Sequence, residues 1–354
     1  LEILVTSGGV LQSGIRDQRN PALDALRGLA VAAVVLFHYT TRFDTIYGYR
    51  EAPLIAFPQG ALGVEFFFAI SGFVITWTTS RTRRGRDFII SRFSRLWPAY
   101  AVGIALTWGT VAVFGLPGRE IGPLPALLNL TLLQEFFGVP HVDGAYWSLY
   151  IELIFYAWTT IAIGLGLMNR RIMLVCIGLL AAIALRLTQE VFGLSIPGRM
   201  LKIGLGEFFP FFAIGILVFD AQAAPRRRWY HMALIMSAIA IAGYANNRIA
   251  YSVVAALASL LIANAAFAKM NFLAIRPFLF LGSISYSLYL VHQNIGYVVI
   301  RQALAKGWTA EMAICAAILF CVGLATILRT LVEVPAQRAI RHWFFERATV
   351  LPRH

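Results

Sequence analysis

The sequence predicts an all-α fold: a polytopic helical bundle integral to a membrane, with about ten transmembrane helices and both termini in the cytoplasm. Three observations predict it. Of the 354 residues, 59% are hydrophobic and only 13% are charged, far fewer charges than a soluble domain carries, and mean hydropathy is +0.72. Apolar runs of roughly 20 residues, enough to cross a ~30 Å hydrocarbon layer, recur along the chain. Basic residues gather in alternate connecting segments. Helices are expected rather than a barrel because the two-residue alternation of barrel strands is absent.

Taken in order, the first span covers 22–41 and holds LDALRGLAVAAVVLFHYTT. The second, 60–79, contains GVEFFFAISGF, and the third, 96–115, starts with LWPAYAVG directly after Arg92 and Arg95. Span 145–168 carries WSLYIELIFY, and 172–190 follows Arg170 and Arg171. Spans 203–220 and 230–245 flank Arg226–Arg228, the second of them being short. Span 249–267 is uniformly apolar, 278–300 contains SISYSLYLVH, and 311–334 runs up to the basic C-terminal segment. Leu124–Phe137 is apolar but too short to cross, which suits an interfacial or re-entrant helix.

An even number of spans puts both termini on one side. If that side is the cytoplasm, the inner segments hold Arg81, Arg83, Arg84, Arg86, Arg92 and Arg95, then Arg170–Arg171, Arg226–Arg228, Lys269, Arg276 and the C-terminal arginines. These are most of the 30 Lys and Arg, which fixes the orientation. The formal net charge of +13 then reflects span flanks rather than a nucleic-acid partner, and a cationic inner face also suits anionic lipid or a phosphorylated substrate. Residues 1–21 read as a cytoplasmic tail, 22–341 as one membrane-embedded domain and 342–354 as a second cytoplasmic tail. Leu1–Pro21 is polar, so no secretory signal peptide is expected. Cys176, Cys315 and Cys321 lie in apolar runs without metal-ligand spacing, so neither a metal site nor a disulfide framework is expected.

Against this background, ionisable residues inside spans stand out, since each costs roughly 3 kcal/mol on insertion scales. Arg27 and His38 are about three turns apart on one helical face, roughly 16 Å along the axis. The orientation puts Asp24 and Arg27 at the inner surface and His38 near the outer one. Glu65 falls near the outer end of its span and Ser71 at mid-membrane, while Trp147 and Glu152 fall in the outer half. Ser285, Tyr289 and His292 share an i, i+4, i+7 face, with His292 in the outer half. The expectation is therefore that His38, Glu65, Glu152 and His292 gather towards the outside, and Arg27, Arg92 and Arg95 towards the inside. Imidazoles near carboxylates suit acid–base chemistry, and guanidinium groups suit phosphate. Each signal also has a structural reading. A histidine can join two helices, Asp24 and Arg27 can pair at i, i+3, Trp147 can belong to an interfacial belt, and Arg81–Arg86 can act as a topological anchor.

These segments resemble, in order, the motifs of the acyltransferase 3 family of integral membrane acyltransferases. LDALRGLAVAAVVLFH is similar to its first-helix signature, GVEFFFAISGFVI to its second helix and SRFSRLWPAY to the basic loop into its third. WSLYIELIFY, SYSLYLVH and the closing VEVPAQRAIR, with Glu333 and Pro335 of an E-x-P ending, complete the series over about residues 22–341. Glu65 stands where many members have Asp.

The resemblance implies an enzyme of a bacterial inner membrane that moves an acyl group, often acetyl, from cytoplasmic acyl-CoA to a hydroxyl, with no permanently bound cofactor. Family acceptors include surface polysaccharides, lipid-linked glycans, Nod-type oligosaccharides and macrolides. Carried over by motif position, His38 is the catalytic histidine and Arg27 its partner in the signature. Arg92 and Arg95 contact the CoA phosphates, and Glu152 and His292 line the site. Tyr289, Trp147 and Ser71 are candidates for stabilising an oxyanion, and His38 suits either a general base or an acyl carrier. Because the chain ends soon after its last span, the resemblance implies one transfer without a fused second transferase. Residues 116–145 and the loop Gly193–Lys202 are expected to shape the acceptor pocket. The competing class is a transporter or flippase for a glycan or lipid, which also uses about ten helices with polar groups at mid-membrane. The two halves of the chain show no convincing internal similarity of the kind such proteins often carry, and a receptor would lack an attached signalling domain.

Overall fold

The computed structural model describes residues 20–82, 84–193, 203–224, 228–267 and 270–346. The N-terminal tail, Arg83, Arg226, Arg227, Lys269, nearly all of the loop Gly193–Lys202 and the last arginines, Arg347 and Arg353, lie outside the described residues. Among the described residues there is no strand. Each predicted span coincides with helix: α1 (Pro21–Leu36), α2 (Gly63–Thr79), α3 (Gly85–Phe114), α4 (Trp147–Gly164) and α5 (Arg171–Phe192). There follow α6 (Phe209–Ala223), α7 (Arg228–Asn246), α8 (Ile249–Ala266), α9 (Arg276–Val291) with α10 (Gln293–Ala305), and α11 (Ala310–Leu328) with α12 (Val334–Arg341).

Six of these segments are long and apolar enough to cross a membrane: Pro21–Tyr47, Pro58–Thr79, Gly85–Phe114, Leu167–Val191, Ile249–Ala266 and Ala310–Phe344. Their packing is that of a bundle in lipid. On α11 the buried stripe is Ala313, Ala317, Cys321 and Ala325, one residue per turn, while Leu319, Phe320 and Ile327 are exposed. On α8, Ala255, Ala258 and Ala265 face inward and Val253, Leu257 and Leu260 outward. Small residues inside let helices approach and large apolar ones face hydrocarbon, the reverse of what water would select. The chain is a multi-pass membrane protein.

Several local features position the polar residues. Asn20 caps α1, its Oδ1 accepting from Ala22 and Leu23 N–H (3.1 and 3.3 Å), with Pro21 at the first helical position. The helix α1 packs along α9, and α2 along α6. The α1–α9 crossing is close at Gly282, where a Cβ would overlap the Asp24 carbonyl. Beyond Leu36, α1 continues as a π-helix over Phe37–Arg42, which offsets the turn carrying His38 from the regular α register.

Two sequence expectations change here. The span 278–300 is two helices meeting at His292, whose carbonyl accepts the Tyr39 hydroxyl at 2.6 Å. The stretch 124–137 is two short helices, Pro123–Asn129 and Gln134–Phe137, rather than one. It lies along α3: Trp108 Nε1 donates to Ile121 O (3.0 Å), Tyr100 Oη to Asn129 O (3.0 Å) and Trp97 Nε1 to Leu130 O (3.1 Å).

Candidate active site

The first helix and the α9–α10 break bring the two predicted histidines together. His38 Nδ1 lies 2.9 Å from Val34 O and 3.2 Å from His292 Nε2, and His292 Nδ1 lies 2.8 Å from Tyr289 O. Two backbone carbonyls accept only, so each must receive a proton from the imidazole nitrogen beside it. In their neutral form both rings are then Nδ1–H tautomers, assigned from this network. His292 Nε2 offers its lone pair to the shared His38 Nδ1–H. His38 Nε2 is left with a lone pair and no bonding partner among the described residues. That is the state a proton acceptor needs. His292 is fully buried and His38 half-buried, with ring centroids 4.8 Å apart.

At the other end of the bundle, a vestibule of about 1070 Å³ opens where α1 and α3 begin and α2 ends. Arg27, Arg81, Arg92, Arg95, Arg329 and Arg341 line it, against Asp24 and Glu333. Glu333 is tied to α9 by the Ser287 hydroxyl at 2.6 Å. A narrower cavity of about 80 Å³ continues inward, sharing Arg27, Arg92 and Arg95 and reaching Ser71, Glu152, Ser148, Ser285 and Tyr289. Among the described residues, none of these three arginines has a carboxylate within ion-pairing distance, and the buried Arg92 Nε has no partner at all. Their charges are countered at longer range, chiefly by Asp24 and Glu152 around Arg27. Unpaired guanidinium groups in a cleft that opens at one end make a ready receptor for phosphate.

Tyr289 stands between the cavity and the histidines, its ring 5.5 Å from that of His292. Its hydroxyl is 2.5 Å from Ser148 Oγ and donates to Ala145 O at 2.9 Å. The cavity therefore ends one side chain short of His292, which in turn contacts His38.

The expected outer cluster of two histidines and two carboxylates does not form. Glu152 belongs with the arginines: its Oε1 accepts from Ser71 Oγ (2.8 Å) and Tyr156 Oη (2.5 Å) in the inner cavity. Depth counted along the α4 axis ignores how far the long arginine side chains reach into the bundle. Glu65 lines neither cavity. Val64, Phe67, Phe68 and Ser71 hold the cavity face of α2 at i, i+3, i+4, i+7, and Glu65, one residue on, is turned about 100° away. It is buried there, with Oε2 unpartnered. The histidines are thus oriented by backbone carbonyls rather than by carboxylates.

The oxyanion candidates fare differently from expectation too. The Ser71 proton goes to Glu152, and the Tyr289 proton to Ala145 O. Trp147 packs on Phe68 and Phe208, outside both cavities. Ser285 lines the cavity, but its hydroxyl donates to Gly282 O at 2.9 Å. Arg27, Arg92, Arg95, Glu152, Ser71, Ser285 and Tyr289 share one cavity, His38 and His292 one contact, and Asp24 the vestibule mouth.

Sequence reasoning passed over Tyr156, whose position four residues after Glu152 was the available signal. It also passed over Asp143, a buried loop carboxylate that caps Gly144–Tyr146 through Ala145 N–H and accepts Asn294 N–H, both at 2.9 Å. Asp143 ties the outer loop to the start of α10, next to His292. Burial pushes its pKa up to about 6.

Comparison with known proteins identifies the family. An acyltransferase domain family model matches residues 20–330. The peptidoglycan O-acetyltransferase OatA of Listeria monocytogenes is 29% identical over 185 residues, 42% of this chain and 28% of that protein. Acyltransferase MdmB of Streptomyces mycarofaciens is 29% identical over 153 residues, 40% of this chain and 38% of MdmB. Nodulation protein 10 of Rhizobium leguminosarum is 30% identical over 116 residues, 27% of this chain and 31% of that protein. The matched stretches thus span well under half the length of each relative, and no solved structure matches. With the family model covering nearly the whole bundle that carries the arginine cavity and the histidine pair, the chain belongs to the acyltransferase 3 family.

Proposed function

We propose that the protein is a membrane O-acyltransferase that moves an acyl group, acetyl in the simplest case, from cytoplasmic acyl-CoA to an acceptor hydroxyl at the opposite face. One observation carries the proposal: His38 Nε2 has no hydrogen-bond partner among the described residues, and Tyr289 separates the pair His38–His292 from an arginine-lined cavity open at the other end. The CoA phosphates meet Arg27, Arg92 and Arg95, and the thioester lies towards Tyr289. His38 Nε2 takes the proton of the acceptor hydroxyl as its oxygen attacks the thioester carbonyl. The C–S bond then breaks, and the departing sulfur receives the proton from the imidazolium, giving an ester and free CoA. General-base assistance of this kind supplies about 10²- to 10⁴-fold. While His38 is protonated, His292 Nε2 accepts its Nδ1–H and so stabilises the cation.

In this reading ten spans cross a bacterial inner membrane, with both termini, tails 1–21 and 342–354, in the cytoplasm. The acyltransferase domain is then 22–341. The relatives include a peptidoglycan O-acetyltransferase and a protein named as an acyltransferase from a Streptomyces. The acceptor here is a carbohydrate, a lipid-linked glycan or a macrolide-type molecule.

The test uses membranes containing the protein and labelled acetyl-CoA. Label should pass to an extractable acceptor, and His38→Ala should abolish transfer while membrane insertion and thermal stability persist. Movement of a glycan or lipid without modification would favour a transporter, and near-normal transfer by His38→Ala would remove His38 from the mechanism.

A further inference from the structure

Around the outer side of His38, three arginines from separate segments converge. Arg42 ends the π-helical stretch that carries His38, Arg119 follows α3 and Arg301 lies on α10. The Arg301 guanidinium is 5.5 Å from the centroid of the Tyr47 ring. The Tyr47 and Tyr297 rings are 5.9 Å apart, edge to face, and Tyr297 is 6.4 Å from the His38 ring. Arg119 reaches the Tyr47 hydroxyl, and the charges of Arg42 and Arg119 act on both Tyr297 and His38. Among the described residues, none of the three arginines forms an ion pair. Nearby carboxylates are otherwise engaged. Asp143 holds Ala145 and Asn294 N–H, Glu120 the Leu116 and Arg119 N–H, and Asp44 the Tyr49 N–H.

Arginines without an ion-pair partner on the outer side run against the charge asymmetry that orients membrane proteins. A second observation points to a ligand. Gln293, Tyr297 and Arg301 form an i, i+4, i+8 stripe on α10. Tyr297 is 0% and Gln293 3% exposed, yet Tyr297 Oη and Gln293 Oε1 have no hydrogen-bond partner. Buried polar groups left unpaired are rare because each costs about 1–3 kcal/mol. At Gly144 the Gln293 amide and Arg119 Nη1 approach the same point, within 2.6 and 3.1 Å of where a Cβ would sit. The constellation offers guanidinium and phenol donors for an oxyanion, and an amide oxygen that accepts a hydroxyl proton beside it.

We infer that Arg42, Arg119 and Arg301, with Tyr297 and Gln293, bind an oxyanion carried by the acceptor, which is therefore an acidic glycan with a carboxylate or phosphate close to the acylated hydroxyl. The inference rests on the acyltransferase reading for the word acceptor, and on geometry alone for the anion site. Two arms test it with the full chain in lipid nanodiscs. In the first, labelled acetyl-CoA is supplied with the methyl glycosides of glucose, glucuronic acid and glucose 6-phosphate. At least one acidic sugar should exceed the neutral one by about tenfold in kcat/KM, as one charge-assisted contact allows. That preference should collapse in Arg119→Gln/Arg301→Gln with KM for acetyl-CoA unchanged, and whichever acidic sugar is preferred identifies the anion as carboxylate or phosphate. Equal use of all three, or a preference that survives in the variant, overturns it.

The second arm needs no catalysis. With coenzyme A saturating the inner arginines, inorganic pyrophosphate should raise the unfolding temperature of the wild type, and most of that shift should vanish in the double variant. Equal shifts in both overturn the anion site. Failure of transfer to every sugar, with the pyrophosphate shift present in the wild type and lost in the double variant, would overturn the acidic-sugar acceptor while leaving the anion site standing; the acyltransferase reading itself falls only if no label passes from acetyl-CoA to any extractable acceptor in membranes.

Discussion

His292→Asn isolates the contribution of the second imidazole. The amide can still donate to Tyr289 O in place of His292 Nδ1–H, and the backbone carbonyl that receives Tyr39 Oη is untouched. What disappears is the Nε2 acceptor 3.2 Å from His38 Nδ1. That contact matters most when His38 carries the proton, since a hydrogen bond to a charged group contributes about 1.5–3 kcal/mol. Val34 O, at 2.9 Å, remains to accept the same proton, so the loss belongs at the lower end, about 1.5 kcal/mol. The expected result is about a tenfold fall in kcat with KM for acyl-CoA unchanged, because the donor arginines line a cavity that His292 does not enter. Purified wild type and variant in nanodiscs, assayed with labelled acetyl-CoA at varied donor and acceptor, give both constants. A loss as complete as that of His38→Ala would make His292 the base. A loss under about twofold would show that the imidazole contact does not stabilise the transition state.

Other consequences follow from the same geometry. Arg95→Ala should raise KM for acyl-CoA about tenfold by removing one charge-assisted phosphate contact, with little change in KM for acceptor; the opposite pattern would refute the donor assignment. Gly282→Ala forces a methyl into the Asp24 carbonyl, so the α1–α9 crossing should loosen at a cost of about 1–3 kcal/mol, read as a lower unfolding temperature together with lower kcat as His38 moves from His292. An unfolding temperature equal to that of the wild type would mean the crossing has slack. Asp143 titrates near 6 in the folded protein against an ordinary 3.8 because it is buried. Its stabilising contribution is complete below pH 4 and lost as pH rises through 6, worth about 3 kcal/mol at most. Asp143→Asn should therefore remove a fall in thermal stability between pH 4 and 6, and parallel curves for the two proteins would contradict this.

The helical class, the six long apolar segments and the opposite placement of Arg27 and His38 were legible in the sequence. Bilayer thickness makes a run of apolar residues a length measurement, and helical rise converts residue number into depth. The same local rules found the first-helix pair, the basic approach to α3 and the polar face of α9. They also found the apolar stretch 124–137, but not its packing along α3.

Rotation about each helix axis and the reach of side chains between helices were decided only in three dimensions. Glu65 and Glu152 read alike as isolated carboxylates, yet one is turned from the cavity by a single residue's rotation and the other joins the arginines. The tautomers of His38 and His292 are set by Val34 O and Tyr289 O, backbone atoms that carry no sequence signature. The α9–α10 junction is fixed by a tyrosine from α1's π-helical extension, a contact 253 positions distant along the chain. The sequence determined which groups lie within apolar helices and how far apart they stand along each one, because hydropathy and helix rise are local properties. Tertiary structure decided which of those groups face one another, because that depends on how the separate helices turn and pack.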